Sequence, residues 1–387
     1  MTKVDAGHTM ILAMEKKLNV TNIRKAMESL GINQADLAKM MTVSRESVSN
    51  WLNQEKFPRA SKLLIMSKIL KLGFGELVIQ EQAPAPIIAF RTNKKKRVST
   101  EKELNANDTG HMLRMLLPYL DTTVFSAPFT KAPSLEYDYI QKVAKEVRRR
   151  VNLSSGVMEI SHIMELYDEF HIVLIPVLWG EKGDNGLYIK LPEDEITFIY
   201  ANLEKYIADF KFWMLHELAH AMTIELDGED SELFADYLAA ALLFPGTSAK
   251  EVYHDLEKIR IVGAKVNKIK EIAMDYMISP FTVLNEVNKY AKSVSLPTIV
   301  VAIGGAVTNF NKSVGLLSNH LFDGVSPSPE KYMEVCRKTF KSKFFVALAR
   351  YLQETGADAG VVHRLMNIPI ADAKGVHNIL GNQNDFT

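Results

Sequence analysis

The 387-residue chain has a single cysteine, Cys336. A lone cysteine excludes an internal disulfide framework and suits a reducing compartment. Long hydrophobic runs are also missing. The longest apolar stretches, YLAAALLFPG (237–246) and TIVVAIGGAV (298–307), fall well short of the roughly 20 residues a membrane helix requires. The opening MTKVDAGHTMILAMEKKLNV holds only a short apolar patch without a cleavage-like flank, so no secretory signal is expected. No internal repeat or low-complexity tract stands out. What is present is ordinary globular composition, 47% hydrophobic, in a chain long enough for two or three domains. The expectation is a soluble, cytoplasmic protein with no membrane partner.

Net charge is zero, but it is unevenly spread. The first 97 residues carry 17 Lys and Arg against 8 Asp and Glu, a net +9 that the remaining 290 residues balance. Such asymmetry points to an anionic partner for the N-terminal part, and nucleic acid is the commonest.

Residues 20–72 read as short amphipathic helices. Residues 81–110 combine prolines, a basic cluster (KKKR) and a polar tract, and read as a linker. Helical spacing resumes at 111–151. Three strand-like runs follow, IVLIPVLW (172–179), GLYIKL (186–191) and ITFIYA (196–201), separated by turn signals. Helices are then expected over 210–223 and 231–244, the second stopped by Pro245-Gly246. The chain therefore reads as α+β and predominantly helical. An all-α domain covers 1–80 and the linker 81–110. A central domain with a small three-stranded sheet covers 111–298, and a helical subdomain covers 299–387.

In GINQADLAKMMTVSRESVSNWLNQEKFPR, Asn33 can cap a helix over 34–41 and Ser44 a second from Arg45 to about Asn53. Leu37, Ala38, Met41, Val43, Val48 and Trp51 fall where two crossing helices share a core, a helix-turn-helix pattern. The second helix would present Arg45, Glu46, Ser49 and Asn50 outward. Arg45 can chelate guanine, Asn50 adenine, and Glu46 can accept from cytosine. Gln34, Lys56 and Arg59 suit phosphate contacts. The stretch resembles the lambda-repressor/Cro-like (XRE) helix-turn-helix family. That resemblance implies a double-stranded operator as partner, with DNA contacts at Gln34, Arg45, Glu46 and Asn50. Two positions depart from the family, Thr42 in the turn and Gln54 after the second helix, where glycine is usual. A β-branched residue at Thr42 resists a positive φ.

The second motif is His216-Glu217-Leu218-Ala219-His220. On a helix, residues four apart share a face, so both imidazoles can meet one ion. Zinc takes histidine nitrogen readily, and a catalytic zinc site keeps three protein ligands and one open position. Glu217 points about a third of a turn away, where it suits a general base beside water. The flanks are apolar, which makes unpaired polar groups costly without an ion. The third ligand must come from elsewhere. In SELFADYLAAALLFP, Glu232 and Asp236 share a face of a small-residue helix. Glu232 can face the histidines, with Asp236 behind as acceptor for a histidine N–H. Glu225, Asp227, Glu229 and Asp230 read as solvated loop and helix start, and His254 is a weaker ligand candidate. The donor set also admits manganese.

These residues, with the pattern Glu232-x-x-Ala235-Asp236-x-x-Ala239-Ala240-x-Leu242-Leu243-x-Pro245, resemble the ImmA/IrrE family of zinc metallopeptidases. The likeness covers about residues 135–295. It implies a zincin-like domain with one zinc on His216, His220 and Glu232, and Glu217 as catalytic base. It also implies a protein substrate, such as a helix-turn-helix repressor or antitoxin. Leu238 and Asp236 stand where the family commonly has phenylalanine and asparagine. A competing reading is a repressor or antitoxin whose zinc domain is a sensor or scaffold without turnover. Another demotes the N-terminal module to protein docking, which its +9 charge disfavours. In the C-terminal part, residues 331–351 read as one amphipathic helix with a basic face, and 356–380 have a second helix-turn-helix cadence. Homodimerisation, substrate gating or a second DNA contact are the functional readings there, and a plain capping subdomain is the default. The glycines of AIGGAV suggest a close backbone approach.

Overall fold

The computed structural model describes residues 16–80, 85–91, 100–120, 133–178, 186–223 and 228–382. They fall into two units, Met1–Pro84 and Ala85–Thr387. No helix among the described residues is long and apolar enough to cross a membrane.

In the first unit, strand β1 (Lys16–Leu18) pairs antiparallel with β2 (Val78–Gln80) and ties its ends together. Between them lie α1 (Val20–Ser29), α2 (Gln34–Met41), α3 (Arg45–Leu52), α4 (Ala60–Leu70) and α5 (Phe74–Leu77). Local chemistry sets the α2–α3 boundaries. The Asn33 side chain accepts from the N–H groups of Ala35 and Asp36, and Asp36 accepts in return from the Asn33 N–H. This capping box satisfies donors that the first helical turn leaves orphaned. Ser44 starts α3 by accepting from the Ser47 N–H at 3.1 Å. Ile23, Leu37, Val48, Met66 and Leu77 form the buried centre. Thr42 ends α2 at φ 54°, and Gln54 follows α3 at φ 61°. Both departures from glycine thus adopt the left-handed backbone. The turn geometry is kept, at a cost of about 1–2 kcal/mol per such residue. Lys62 Nζ offsets part of this at the α2 terminus, donating to the Met41 carbonyl at 3.1 Å.

The second unit opens with β3 (Ile87–Arg91), α6 (Thr100–Leu113) and a 3₁₀ turn over Arg114–Tyr119. Then come α7 (Tyr137–Arg150), α8 (Ile160–Glu169), β4 (Ile172–Val177), β5 (Gly186–Leu191) and β6 (Ile196–Asn202). The helices α9 (Ile207–Met222), α10 (Gly228–Leu243), α11 (Gly246–Lys258), α12 (Val262–Tyr276) and α13 (Pro280–Ser293) follow. The C-terminal helices are α14 (Gly304–Val314), α15 (Leu317–Phe322), α16 (Pro329–Phe340), α17 (Lys343–Thr355), α18 (Ala359–Met366) and α19 (Ile370–Asn382). The fold is predominantly helical with a small mixed sheet, as the sequence pattern implies.

The sheet has four strands, ordered β3-β5-β6-β4, rather than three. Only β4 and β6 run parallel. The fourth strand, β3, and most of helix α6 lie inside the stretch read as linker. Ile87–Phe90 is a short apolar run whose strand character is masked by Pro86 before it and the basic cluster after it. Helix α6 hides in the polar tract because it buries only Ala106, Gly110 and Leu113. In β6, Ile196 to Ala201 are all buried, so both faces of that strand are covered.

The C-terminal helices share the second unit's core. Leu317 N–H donates to Lys205 O at 2.7 Å, and Ser318 N–H to Leu203 O at 2.9 Å. Tyr200 Oη on β6 donates to Leu365 O at 2.6 Å. Residues 331–351 are two helices, not one. Lys341 turns left-handed at φ 45°, and Ser342 caps α17 by accepting from the Phe344 N–H while donating to the β4 carbonyl of Leu174. Nor do the AIGGAV glycines mark a close approach. A side chain added at Gly304 or Gly305 would meet nothing within 4 Å, and the pair opens α14.

Candidate metal centre and nucleic-acid interface

Helix α9 is buried along most of its length, from Ala208 to Met222. Its polar residues therefore need partners, and α10 supplies those of His216 and His220. Ala235 and Ala239 of α10 are buried and small, which lets the two helices approach closely. Glu232 and Asp236 lie on the same stripe as those alanines, at i, i+3, i+4 and i+7.

The sequence-predicted ligands come together. His216 Nε2 and His220 Nε2 are 3.0 Å apart. Glu232 Oε2 is 3.3 Å from His216 Nε2, and its Oε1 is 3.4 Å from His220 Nε2. Atoms about 2.0–2.1 Å from a tetrahedral zinc lie about 3.3–3.4 Å from each other, so this triangle has the right size for three corners of such a site. Among the described residues, it is the one cluster of three potential ligand side chains whose donor atoms all lie within 4.8 Å.

Hydrogen bonds orient both rings. Asp236 Oδ1 accepts from His216 Nδ1 at 2.9 Å. Proton placement follows from chemistry, because a carboxylate only accepts. Neutral His216 then carries a lone pair on Nε2, facing the donor atoms of His220 and Glu232. His220 Nδ1 lies 3.2 Å from Ser231 Oγ, a contact that orients the second ring. Three lone-pair donors aimed at one point fit a cation. The Trp213 ring meets His216 edge to face at 5.1 Å. His216 is 1% exposed while Glu232 and Asp236 are half-exposed, so the cluster opens to solvent on the α10 side.

Glu217 is buried at 4% exposure on the same helix. Tyr167 of α8 is buried nearby and donates to the Met214 carbonyl at 2.8 Å. Burial raises the Tyr167 hydroxyl well above its ordinary pKa, and the Glu217 charge raises it further. His254 does not join the cluster. It is half-exposed on α11, 3.7 Å from Glu257. Glu229 and Asp230 are exposed in the first turn of α10. Glu225 and Asp227 lie outside the described residues. Sequence reading missed Ser231 and Tyr167. Ser231 directly precedes Glu232, whereas nothing local marks Tyr167, which is brought in by packing.

In the first unit, α3 buries Val48, Trp51 and Leu52. The opposite side carries Arg45 and Glu46, both exposed, with Ser49 and Asn50 half-buried beside them. Gln34 is half-buried at the start of α2, and Lys56 is exposed just beyond the left-handed Gln54. Residues 23–77 match the helix-turn-helix family. The match runs from the first core residue of α1 to the end of α5, and it supports a DNA-binding regulator of transcription. No curated protein and no solved structure matches the chain.

Proposed function

We propose that the chain joins its DNA-binding unit to a zinc-dependent endopeptidase unit that cleaves a helix-turn-helix repressor or antitoxin-type protein, or the chain itself. The observation that carries this reading is the convergence of His216, His220 and Glu232 beside the buried Glu217. Two imidazoles and one carboxylate are a donor set suited to zinc with one position left open. When bound, zinc would supply a Lewis acid that polarises a carbonyl and makes water a stronger acid. Asp236 holds the His216 ring in the tautomer that offers Nε2, and Ser231 orients the His220 ring. Glu217 takes a proton from the attacking water and delivers it to the leaving amine. The ImmA/IrrE resemblance over 135–295 assigns the same roles to the same residues. A site with only a structural role has no use for Glu217, which favours turnover over a sensor or scaffold.

On the DNA side, Arg45 and Asn50 read base edges, Glu46 and Ser49 flank them, and Gln34 and Lys56 hold the backbone. The test incubates zinc-loaded full-length protein with helix-turn-helix proteins encoded beside it, and with itself. New fragments that the Glu217→Gln chain does not produce support the reading. Absence of any fragment overturns the peptidase and leaves a metal-bearing DNA-binding regulator.

A further inference from the structure

Helices α7, α10 and α13 line an open cavity of about 360 Å³, a size in the range of small-molecule sites. Its polar lining includes Tyr137 and Gln141 of α7, Tyr237 of α10, and Glu286, Lys289 and Lys292 of α13. Leu135 and Ile140 add apolar wall, and Ser293 stands at the exposed rim. None of these residues belongs to the metal cluster.

The charges are already partly arranged. Glu286 is 1% exposed, and Lys289 Nζ lies 2.7 Å from its Oε1. The same ammonium sits 4.0 Å above the Tyr237 ring. Burial raises the Glu286 carboxyl and Lys289 draws it back down. Glu286 and Lys289 thus neutralise each other, so the carboxylate is not waiting for a cation. Lys292, one turn further along α13 and exposed at the rim, leaves the lining with a net single positive charge.

Gln141 adds the second observation. Its Oε1 accepts from the Gly246 N–H at 2.8 Å. A backbone N–H can donate only to the oxygen, which fixes the two ends of the amide. Its Nε2 is then a buried donor with no hydrogen-bond partner. A buried donor without an acceptor is costly, and a ligand oxygen removes the cost. Gly246 keeps this corner tight. A Cβ there would lie 2.6 Å from Tyr137 Oη and 2.9 Å from Gln141 Oε1.

We infer that this cavity binds a small organic carboxylate with an apolar or aromatic body. Its anionic end meets Lys292, a ligand oxygen accepts from Gln141 Nε2, and its body rests on Leu135, Ile140 and the tyrosine rings. The cavity is independent of the metal cluster and of any peptidase activity there.

Titration calorimetry of the full-length chain tests it, with phenylacetate as probe and phenylacetamide as its uncharged match. Phenylacetate is expected to bind about tenfold or more tighter than the amide. Lys292→Gln should weaken phenylacetate about fivefold, and Ser293→Trp, which fills the rim, should abolish binding. Both positions are exposed, so the thermal midpoint of each ligand-free variant should match the parent. Equal affinity for acid and amide, no phenylacetate binding at millimolar concentration, or unchanged affinity in both variants would overturn the inference.

Discussion

Glu232 and Asp236, one turn apart on α10, face opposite nitrogens of a single imidazole. Glu232 faces His216 Nε2 at 3.3 Å, and Asp236 accepts from His216 Nδ1 at 2.9 Å. One carboxylate lies where a third zinc ligand is proposed, and the other sets the tautomer in which the ring could serve as a ligand. Asp236→Ala should therefore lower zinc affinity about 10- to 100-fold in a chelator-competition titration. Asp236→Asn keeps an acceptor and should lose much less. Equal affinity in all three proteins would remove Asp236 from the account.

Thr42 holds a left-handed backbone that glycine adopts freely. Thr42→Gly relieves about 1–2 kcal/mol of strain and gives back part of it as unfolded-chain entropy. The net expectation is a gain of up to about 1 kcal/mol, or up to about fivefold slower amide exchange across α2 and α3 in the full chain. Faster exchange there would mean that Thr42 makes a compensating interaction worth more than the strain.

Lys211 is 1% exposed on α9, and its amine donates to the Tyr276 carbonyl at 3.0 Å. Burial lowers its pKa from 10.5 to about 8, with Glu159 opposing the shift. Between those two values the unfolded chain binds more protons than the folded one, so stability rises with pH across that window. Below about pH 8 both states are protonated, and the group's contribution is a constant cost. Lys211→Met should remove the rise, measured as the difference in thermal midpoint between the two proteins from pH 7 to 10.5. A difference that stays flat would contradict the depressed pKa.

Much of the fold and the candidate site was legible because it rests on local chemistry. Asn33 and Ser44 mark helix starts by side-chain capping, and the structure begins α2 and α3 at the next residues. His216, His220, Glu232 and Asp236 are readable because i, i+4 spacing fixes a helix face whatever the tertiary structure does. The misses are tertiary. Strand β3 is five residues long and takes its identity from pairing with β5. The break between α16 and α17 is marked locally only by Ser342, which caps α17, and the continuous amphipathic spacing on either side hides that cap and its reach to a β4 carbonyl. Propensity disfavours Thr42 and Gln54 at their turns, and the surrounding helix pairing overrides that preference.

Arg45 and Asn50 share the outward side of α3. Replacing both with alanine should weaken binding to the specific operator by about 10- to 100-fold for each base-reading side chain removed, while non-specific DNA binding persists. Lys56→Ala should instead weaken all sequences alike and reduce the salt dependence by about one unit of slope. Gel shifts at several salt concentrations separate the two. An unchanged operator shift in the double variant would place the reading surface elsewhere.

In the proposed mechanism His216, His220 and Glu232 hold a zinc ion and Glu217 serves as the base for hydrolysis. The most direct measurement pairs metal analysis with proteolysis for the parent chain and Glu217→Gln. The expected result is one zinc per chain in both proteins and cleavage of the partner protein only by the parent. Zinc absent from the parent, or cleavage by Glu217→Gln at the parent's rate, would contradict it.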